Sequence, residues 1–312
     1  MKTENKNIFF SVILMTILSL SITSCWESFE EQSYAPTFTI DGFASASDVA
    51  KDNVVGYWAF EGSIFDSISN KAGTGVNNSF TNGYVGQAYQ GAADAFAYCD
   101  ISDALKNLNG SFSINLWMYY SSAAVAANGE NWVHFVSLID PTATFNTFDP
   151  KLQFLQYGAG NNGPSAWQFG SVIQNDRNSS AFYGGNLWTG LDNFQDKWVN
   201  WSLVYDATSS TYNIYLNGSQ WSSDDWVDGN TGWGGNTYPQ TDESVTPFGN
   251  VQLGSISKIV FGGLNTTGIE ANGPWGEDPA FFSGALDEVR IYNTPLTQKE
   301  IQTLLSLMAK GL

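Results

Sequence analysis

Three groups of side chains in this sequence could do chemistry: one histidine, thirty carboxylates, and a set of tryptophans embedded in amides and glycines. A nucleophile–base relay needs an imidazole or its equivalent beside a serine or cysteine, and His134 is the single imidazole. It sits in Trp132-Val-His-Phe-Val-Ser-Leu-Ile139, an alternating run of strand type. In such a run a histidine lines a core or a groove more readily than it acts as a base or a ligand. Glycoside hydrolysis asks only for two carboxylates on one surface. No strand-like run carries Glu-x-Asp-x-Glu or Glu-x-Asp-x-x-Glu. Asp192 and Asp196 belong to a loop-like stretch, and the adjacent Asp224 and Asp225 would point to opposite faces of a strand. No catalytic residue is expected. With one histidine and two cysteines, a histidine or four-cysteine metal cage is excluded as well.

The tryptophans are the richer signal. Of twelve, Trp167, Trp188, Trp221, Trp226, Trp233 and Trp275 fall outside strand-like runs, with Tyr183 and Tyr238 beside them. They are embedded in Gly, Asn, Asp, Ser and Gln, as in Trp221-Ser-Ser-Asp-Asp-Trp226-Val-Asp-Gly-Asn-Thr-Gly-Trp233. Flat rings cover the C–H faces of sugars, and Asn, Asp and Gln pair with the hydroxyls around them. Trp188, Trp221, Trp226, Trp233, Tyr238 and Trp275 are therefore the expected ligand-binding residues. The competing reading is that these rings pin long loops onto the body of the protein. Trp58, Trp117, Trp132, Trp198 and Trp201 lie in strand-like runs and are assigned to the core or its edges. Twelve Lys and Arg against thirty Asp and Glu leave a net charge of −18. Phosphate backbones repel such a chain, so nucleic acid is not an expected partner, and a neutral polysaccharide or oligosaccharide is favoured over a sulfated or uronic one.

The elements that must position these residues are strands. Alternation is visible in Phe112–Tyr120, Trp132–Ile139, Trp198–Tyr205 and Thr211–Leu216, with Gly, Asn, Asp and Ser between them. Asn217-Gly218 signals a tight hairpin turn. Two stretches, 157–197 and 219–257, read as long loops. One helix is expected near the C-terminus: Thr297 and Glu300 form a capping box, Leu296 and Ile301 a hydrophobic staple, and Gly311 suits its end. The pattern predicts an all-β fold, a jelly-roll sandwich of two antiparallel sheets with a short C-terminal helix, in one domain over 54–312.

Residues 1–24 give an address. Lys2 and Lys6 precede the uncharged run Ile8–Ser24, which ends at Ile22-Thr23-Ser24-Cys25. This resembles the signal peptide and lipobox of bacterial lipoproteins, which implies that Cys25 is lipidated. A spanning helix is the rival, though seventeen residues rise only about 26 Å. Glu27, Glu30 and Glu31 follow the cysteine and resemble the export signals of Bacteroidetes-type surface lipoproteins. The protein is thus expected on the outer membrane, lipid-anchored and exposed at the cell surface, with residues 25–53 as lipidated cysteine and tether. Cys99 then stands alone, in a strand-like run, as a small buried hydrophobe.

The run Gly284-Ala-Leu-Asp287-Glu288-Val-Arg290-Ile-Tyr292-Asn-Thr-Pro295-Leu-Thr297-Gln-Lys-Glu300-Ile301 resembles the last strand and helix of laminin G-like domains, which are concanavalin A-like jelly rolls. Tyr57-Trp58-Ala-Phe60, Gly86-Gln-Ala88, Phe112-Ser-Ile114 with Trp117, Ile214-Tyr-Leu-Asn217-Gly218 and Lys258-Ile-Val-Phe261-Gly-Gly263 fall in the matching order. The resemblance covers about residues 54–308. It implies a structural calcium that ties the first strand to the last, with Asp287 as carboxylate ligand, Asp66 as a second, and carbonyls near Glu61 and Gly91. Asp287 capping a turn or pairing with Arg290 is the alternative. Three functions stay open: glycan capture without cleavage, adhesion to another protein such as a neighbouring surface protein, and the activity of a divergent glycoside hydrolase or lyase.

Overall fold

A run such as Phe112–Tyr119 puts alternate side chains on opposite faces, so it must bury at least one face and pair both backbone edges. The computed structural model describes residues 38–128, 133–141, 152–156, 167–175, 180–189, 194–209, 211–221, 249–263 and 281–312. The chain divides into two units, Met1–Thr39 and Ile40–Leu312. Only Phe38 and Thr39 of the first are described, and all the strands and helices named below belong to the second.

The strands begin with β1 (Val54–Trp58), β2 (Phe65–Asp66), β3 (Lys71–Ala72), β4 (Thr74–Val76), β5 (Ser79–Asn82), β6 (Gln87–Gln90) and β7 (Phe96–Asp100). The short helix α1 (Asp103–Lys106) precedes β8 (Asn109–Gly110) and β9 (Phe112–Tyr119), and α2 (Ser122–Asn128) precedes β10 (Val133–Ile139). Next come β11 (Leu152–Gln156), β12 (Trp167–Asn175), β13 (Ser180–Thr189), β14 (Trp198–Asp206), β15 (Thr211–Leu216) and β16 (Ser219–Gln220). The described elements end with β17 (Val251–Gln252), β18 (Lys258–Phe261), β19 (Ala285–Tyr292) and α3 (Gln298–Met308).

Among the described residues these form two main sheets. The eight-stranded one runs β16-β15-β14-β9-β19-β6-β5, with β1 also paired to β19; the seven-stranded one runs β13-β12-β11-β10-β18-β7-β4. Neighbours in each pair antiparallel, and the two sheets close over one large apolar core containing Trp58, Trp201, Phe135 and Phe154. This is the expected concanavalin A-like jelly-roll sandwich.

The turn and cap chemistry also act as read from the residues. Asn217 and Gly218 both take positive φ, 50° and 75°, in the turn between β15 and β16. At α3, the Thr297 hydroxyl accepts the Glu300 N–H at 3.2 Å and the Glu300 carboxylate accepts the Thr297 N–H at 2.8 Å. Leu296 and Ile301 share one buried cluster on the outer face of the eight-stranded sheet. Two expectations change. The stretch 157–197 is not one long loop, because β12 and β13 lie within it and pair from Trp167↔Thr189 to Asn175↔Ser180. Glycines at 170, 184, 185 and a bulge between Phe169 and Ser171 break the alternation that would have marked these strands. The second difference is at the start: the compact unit begins at Ile40, because Ala46 and Val49 are buried against α3 and Trp117.

Candidate functional site

The outer face of the eight-stranded sheet is covered over part of its area by α3 and residues 40–50. Where this cover ends, aromatic rings take its place. Trp117 on β9 is 5% exposed, donates its indole N–H to Met308 Sδ at 3.1 Å, and carries the Tyr84 ring flat upon it. The two ring centroids are 3.4 Å apart and the planes 10° apart. With one face against Trp117, half-buried Tyr84 keeps its remaining exposure on the opposite face and rim. Two residues along β9, on the same face, Tyr119 meets its ladder partner Trp198 with centroids 5.8 Å apart and planes at 55°. Both are half-buried. The same ladder row continues through Ala285 and Gln90 to Ser79. Buried Ala285 lies between the rings and half-buried Gln90, whose amide donates to the Gly91 and Gly284 carbonyls at 2.8 and 3.2 Å. The result is a strip of three half-buried rings, with Tyr84 on Trp117 beside Tyr119 and Trp198, along a ladder row that ends at exposed Ser79 and carries no charged residue.

The strip rests on an irregular strand. The far edge of β19 is shared: β6 pairs with Ala285 and Leu286, and β1 pairs with Val289 to Tyr292. Asp287 and Glu288 lie at the changeover, where the β9–β19 register shifts and Glu288 takes φ 53°. Asp287 is fully buried. Its Oδ2 accepts the Val85 N–H at 2.9 Å, and Oδ1 has no hydrogen-bond partner among the described residues. Burial pushes its carboxyl up to about 7; the N–H groups of Val85, Glu288 and Tyr84 pull it back down, and the charge of Glu288 adds to the rise. Gly83 makes this approach feasible, since a Cβ there would lie 2.6 Å from Asp287 Oδ2. The turn carrying Tyr84 is thus pinned from below by Asp287. Beyond it, Glu61 accepts the Gln87 N–H at 3.2 Å. Buried Glu288 is paired with Arg290 Nη1 at 2.6 Å and accepts the Tyr57 hydroxyl at 2.9 Å, while Arg290 lies 4.1 Å over the Tyr57 ring. Burial, more than these charges, drives the Tyr57 hydroxyl far above its ordinary range.

The structure redistributes the residues expected to bind ligand. Trp188 is a strand residue of β13, opposite Gln168, and Trp167 opens β12. Trp221 is half-buried and packs against the main core, with its indole N–H buried and no hydrogen-bond partner among the described residues. It follows β16 directly and donates its backbone N–H to the Ile214 carbonyl. Trp226, Trp233, Tyr238 and Trp275 lie outside the described residues, as does Cys25. Trp198, by contrast, is expected from its strand in the core or at its edges and belongs to the strip. Alternation identifies which face a residue takes but not whether that face is covered, so neither Trp198 nor Tyr119 stands out in the sequence as a surface ring. His134 is 3% exposed on β10, and free Cys99 is 1% exposed with burial pushing its thiol up.

Of the expected calcium positions, Asp287 offers an uncommitted buried oxygen and so fits a cation. Asp66 does not: its Oδ1 accepts the N–H groups of Tyr57 and Ile68, each at 3.0 Å, and its Oδ2 accepts the Ser69 hydroxyl. The Gly91 carbonyl accepts the Gln90 amide at 2.8 Å, and Glu61 is engaged by its carboxylate. Arg290 pairs with Glu288 and not with Asp287. Among the described residues no three His, Cys, Asp or Glu side chains are grouped to hold a metal, and no helix is long and apolar enough to cross a membrane.

No known family pattern matches the chain, and no curated protein matches it in sequence. Solved structures do match in fold. The ligand-binding domain of botulinum neurotoxin serotype D, solved with N-acetylneuraminic acid, superposes with a TM-score of 0.52 at 11% identity over 84% of this chain and 52% of its own. A botulinum neurotoxin type C structure, whose cell entry is described as dependent on two ganglioside molecules, gives 0.54 at 10% over 85% and 53%. The serotype G binding domain gives 0.52 at 14% over 82% and 51%. The chain spans about half the length of these structures, and at such identities the likeness is one of fold.

Proposed function

We propose that this protein is a non-catalytic carbohydrate-binding module that captures a neutral glycan on its aromatic strip. The observation that carries the reading is the Tyr84 plate held flat on Trp117 beside the Tyr119–Trp198 pair, in a row free of charge. Stacking on such rings contributes about 0.5–1.5 kcal/mol each beyond area burial. Without a cation in the row, an acidic sugar would lose its water without gaining a partner. The fold's presence in binding domains solved with a sialic acid supports carbohydrate recognition in general. Asp287 and Glu288 are buried and engaged within the fold, which supports binding over hydrolysis.

The rest of the proposal comes from the sequence. Cys25 carries the lipid anchor of an outer-membrane, surface-exposed lipoprotein with a laminin G-like domain. Trp188, Trp221, Trp226, Trp233, Tyr238 and Trp275 are proposed as further ligand-binding residues, and calcium bound at Asp287 as the brace of the strand junction. In affinity gel electrophoresis against neutral polysaccharides, Tyr84→Ala and Trp198→Ala should each weaken retention about 2- to 10-fold, with melting temperature recorded alongside. Retention unchanged in both variants removes the strip from the reading, and release of reducing ends by the wild-type protein replaces binding with hydrolysis. Calcium is tested by melting: chelator should lower the transition of calcium-loaded protein, and an unmoved transition ends that part of the proposal.

A further inference from the structure

A polysaccharide can meet a protein in two physical forms: as one flexible chain, or as the flat face of many chains packed in a solid. A flat face needs a flat platform, with coplanar rings and nothing standing above them. The strip meets neither condition.

Its rings are not coplanar. Tyr119 and Trp198 have centroids 5.8 Å apart, yet their planes differ by 55°. A rigid plane lying flush on one ring therefore meets the other at a steep angle. Tyr84 adds a step, because it comes from the β5–β6 turn and lies 3.4 Å above Trp117, which rises from β9 itself. The ladder beneath is twisted as well. The row from Trp198 through Tyr119, Ala285 and Gln90 to Ser79 passes over β14, β9, β19, β6 and β5. Neighbouring strands rotate by about 20–25°, so the outward direction turns by roughly 80–100° from one end of the row to the other.

The strip is also overlooked by a ridge. Leu304, Leu307 and Met308 of α3 belong to the cluster against which Tyr84 and Trp198 pack. The Leu312 carbonyl accepts the Ala46 N–H at 3.0 Å, and Asp41 accepts the Thr303 hydroxyl at 2.7 Å, so residues 40–50 continue the ridge beside the helix. A helix is about 10–12 Å across, which is more than a Tyr or Trp side chain rises from the sheet that carries both. A single chain can run along the foot of this ridge. A packed face would strike the ridge before it reached the rings.

We infer, on the basis of the glycan reading above, that the strip takes one dissolved or loosened glycan chain, laid across the strands along the row, and rejects the ordered faces of crystalline polysaccharides. A free chain follows the twist because each sugar can turn about its glycosidic bonds toward the next ring.

The test compares the wild-type protein with the double variant Tyr84→Ala/Trp198→Ala. Affinity gels carry a soluble mixed-linkage glucan, a xylan or a galactomannan, and pull-downs use microcrystalline cellulose and crystalline chitin. At least one soluble polysaccharide should retain the wild type, about 5- to 100-fold more strongly than the variant. Uptake of the wild type on either solid should not exceed that of the variant. Uptake on a solid that the variant loses overturns the inference and leaves the glycan reading standing. No retention on any probe, or soluble retention equal in the two proteins, overturns both. Tyr119→Ala, read in the same assays with melting temperature recorded, replaces the double variant if that one fails to fold.

Discussion

Asp287 is where burial and ionisation compete most openly. Its carboxyl is held neutral up to about 7, against an ordinary value of 3.8. Between those values the folded protein binds more protons than the unfolded chain, so this residue's contribution to stability falls as pH rises from about 4 to about 7. Asp287→Asn removes the titration while keeping an acceptor for Val85. In chelator, the variant should match wild type near pH 4 and gain on it by up to ~4 kcal/mol above neutrality; denaturation midpoints across the pH series would show this. A difference that does not change with pH would mean that the carboxyl is not held neutral. Arg290 makes a second residue-level case. Arg290→Met leaves Glu288 buried with only the Tyr57 hydroxyl, at a cost of about 3–5 kcal/mol, whereas Glu288→Gln with Arg290→Met should recover most of that loss. A double variant no better than the single one would rule out charge as the cause.

Elements turn such residues into a surface. The turn between β5 and β6 presents Tyr84, and it is gripped from two sides by Asp287 and Glu61. Gly86 takes φ 57°, and a Cβ there would stand 1.9 Å from Glu61 Oε1. Gly86→Ala should therefore displace Glu61 and loosen the turn, weakening glycan retention while the core stays intact; fluorescence of the Tyr84–Trp117 pair and gel retention would report it together. The α3 cap is a separate matter. Thr297→Ala should cost about 1 kcal/mol of stability through the lost capping box, visible as a lower denaturation midpoint with glycan retention unchanged. The two elements differ in how far the sequence betrays them. The cap is local chemistry within four residues and is legible in Thr297 and Glu300. The turn's role is not, because Asp287 stands 202 residues from Val85 in sequence.

At the scale of the whole molecule, charge divides the surface. Acids outnumber bases thirty to twelve in the chain, yet the glycan row is uncharged, so it is open to a partner that the remainder would not attract. Retention on a neutral polysaccharide should accordingly be indifferent to added salt, since no counterions are released. A steep salt dependence in affinity gels would mean that the ligand is ionic and the strip is not its site. The jelly roll accommodates such a surface because its two sheets spend their inner faces on a common core and leave outer faces for other uses.

What the residues alone determined was local in origin: strands from alternation, the Asn217-Gly218 turn, the capped helix, an all-β class, and the exclusion of His- and Cys-based chemistry. Each depends on neighbours a few positions away, and backbone sterics and short-range hydrogen bonds read them directly. Only the tertiary structure decided which faces are covered. Trp117 is buried whereas Trp198 and Trp221 each keep part of their surface outside, although all three come from the same aromatic vocabulary, because exposure is set by what packs from distant parts of the chain: Met308 and Tyr84 over Trp117, and the main core against one side of Trp221.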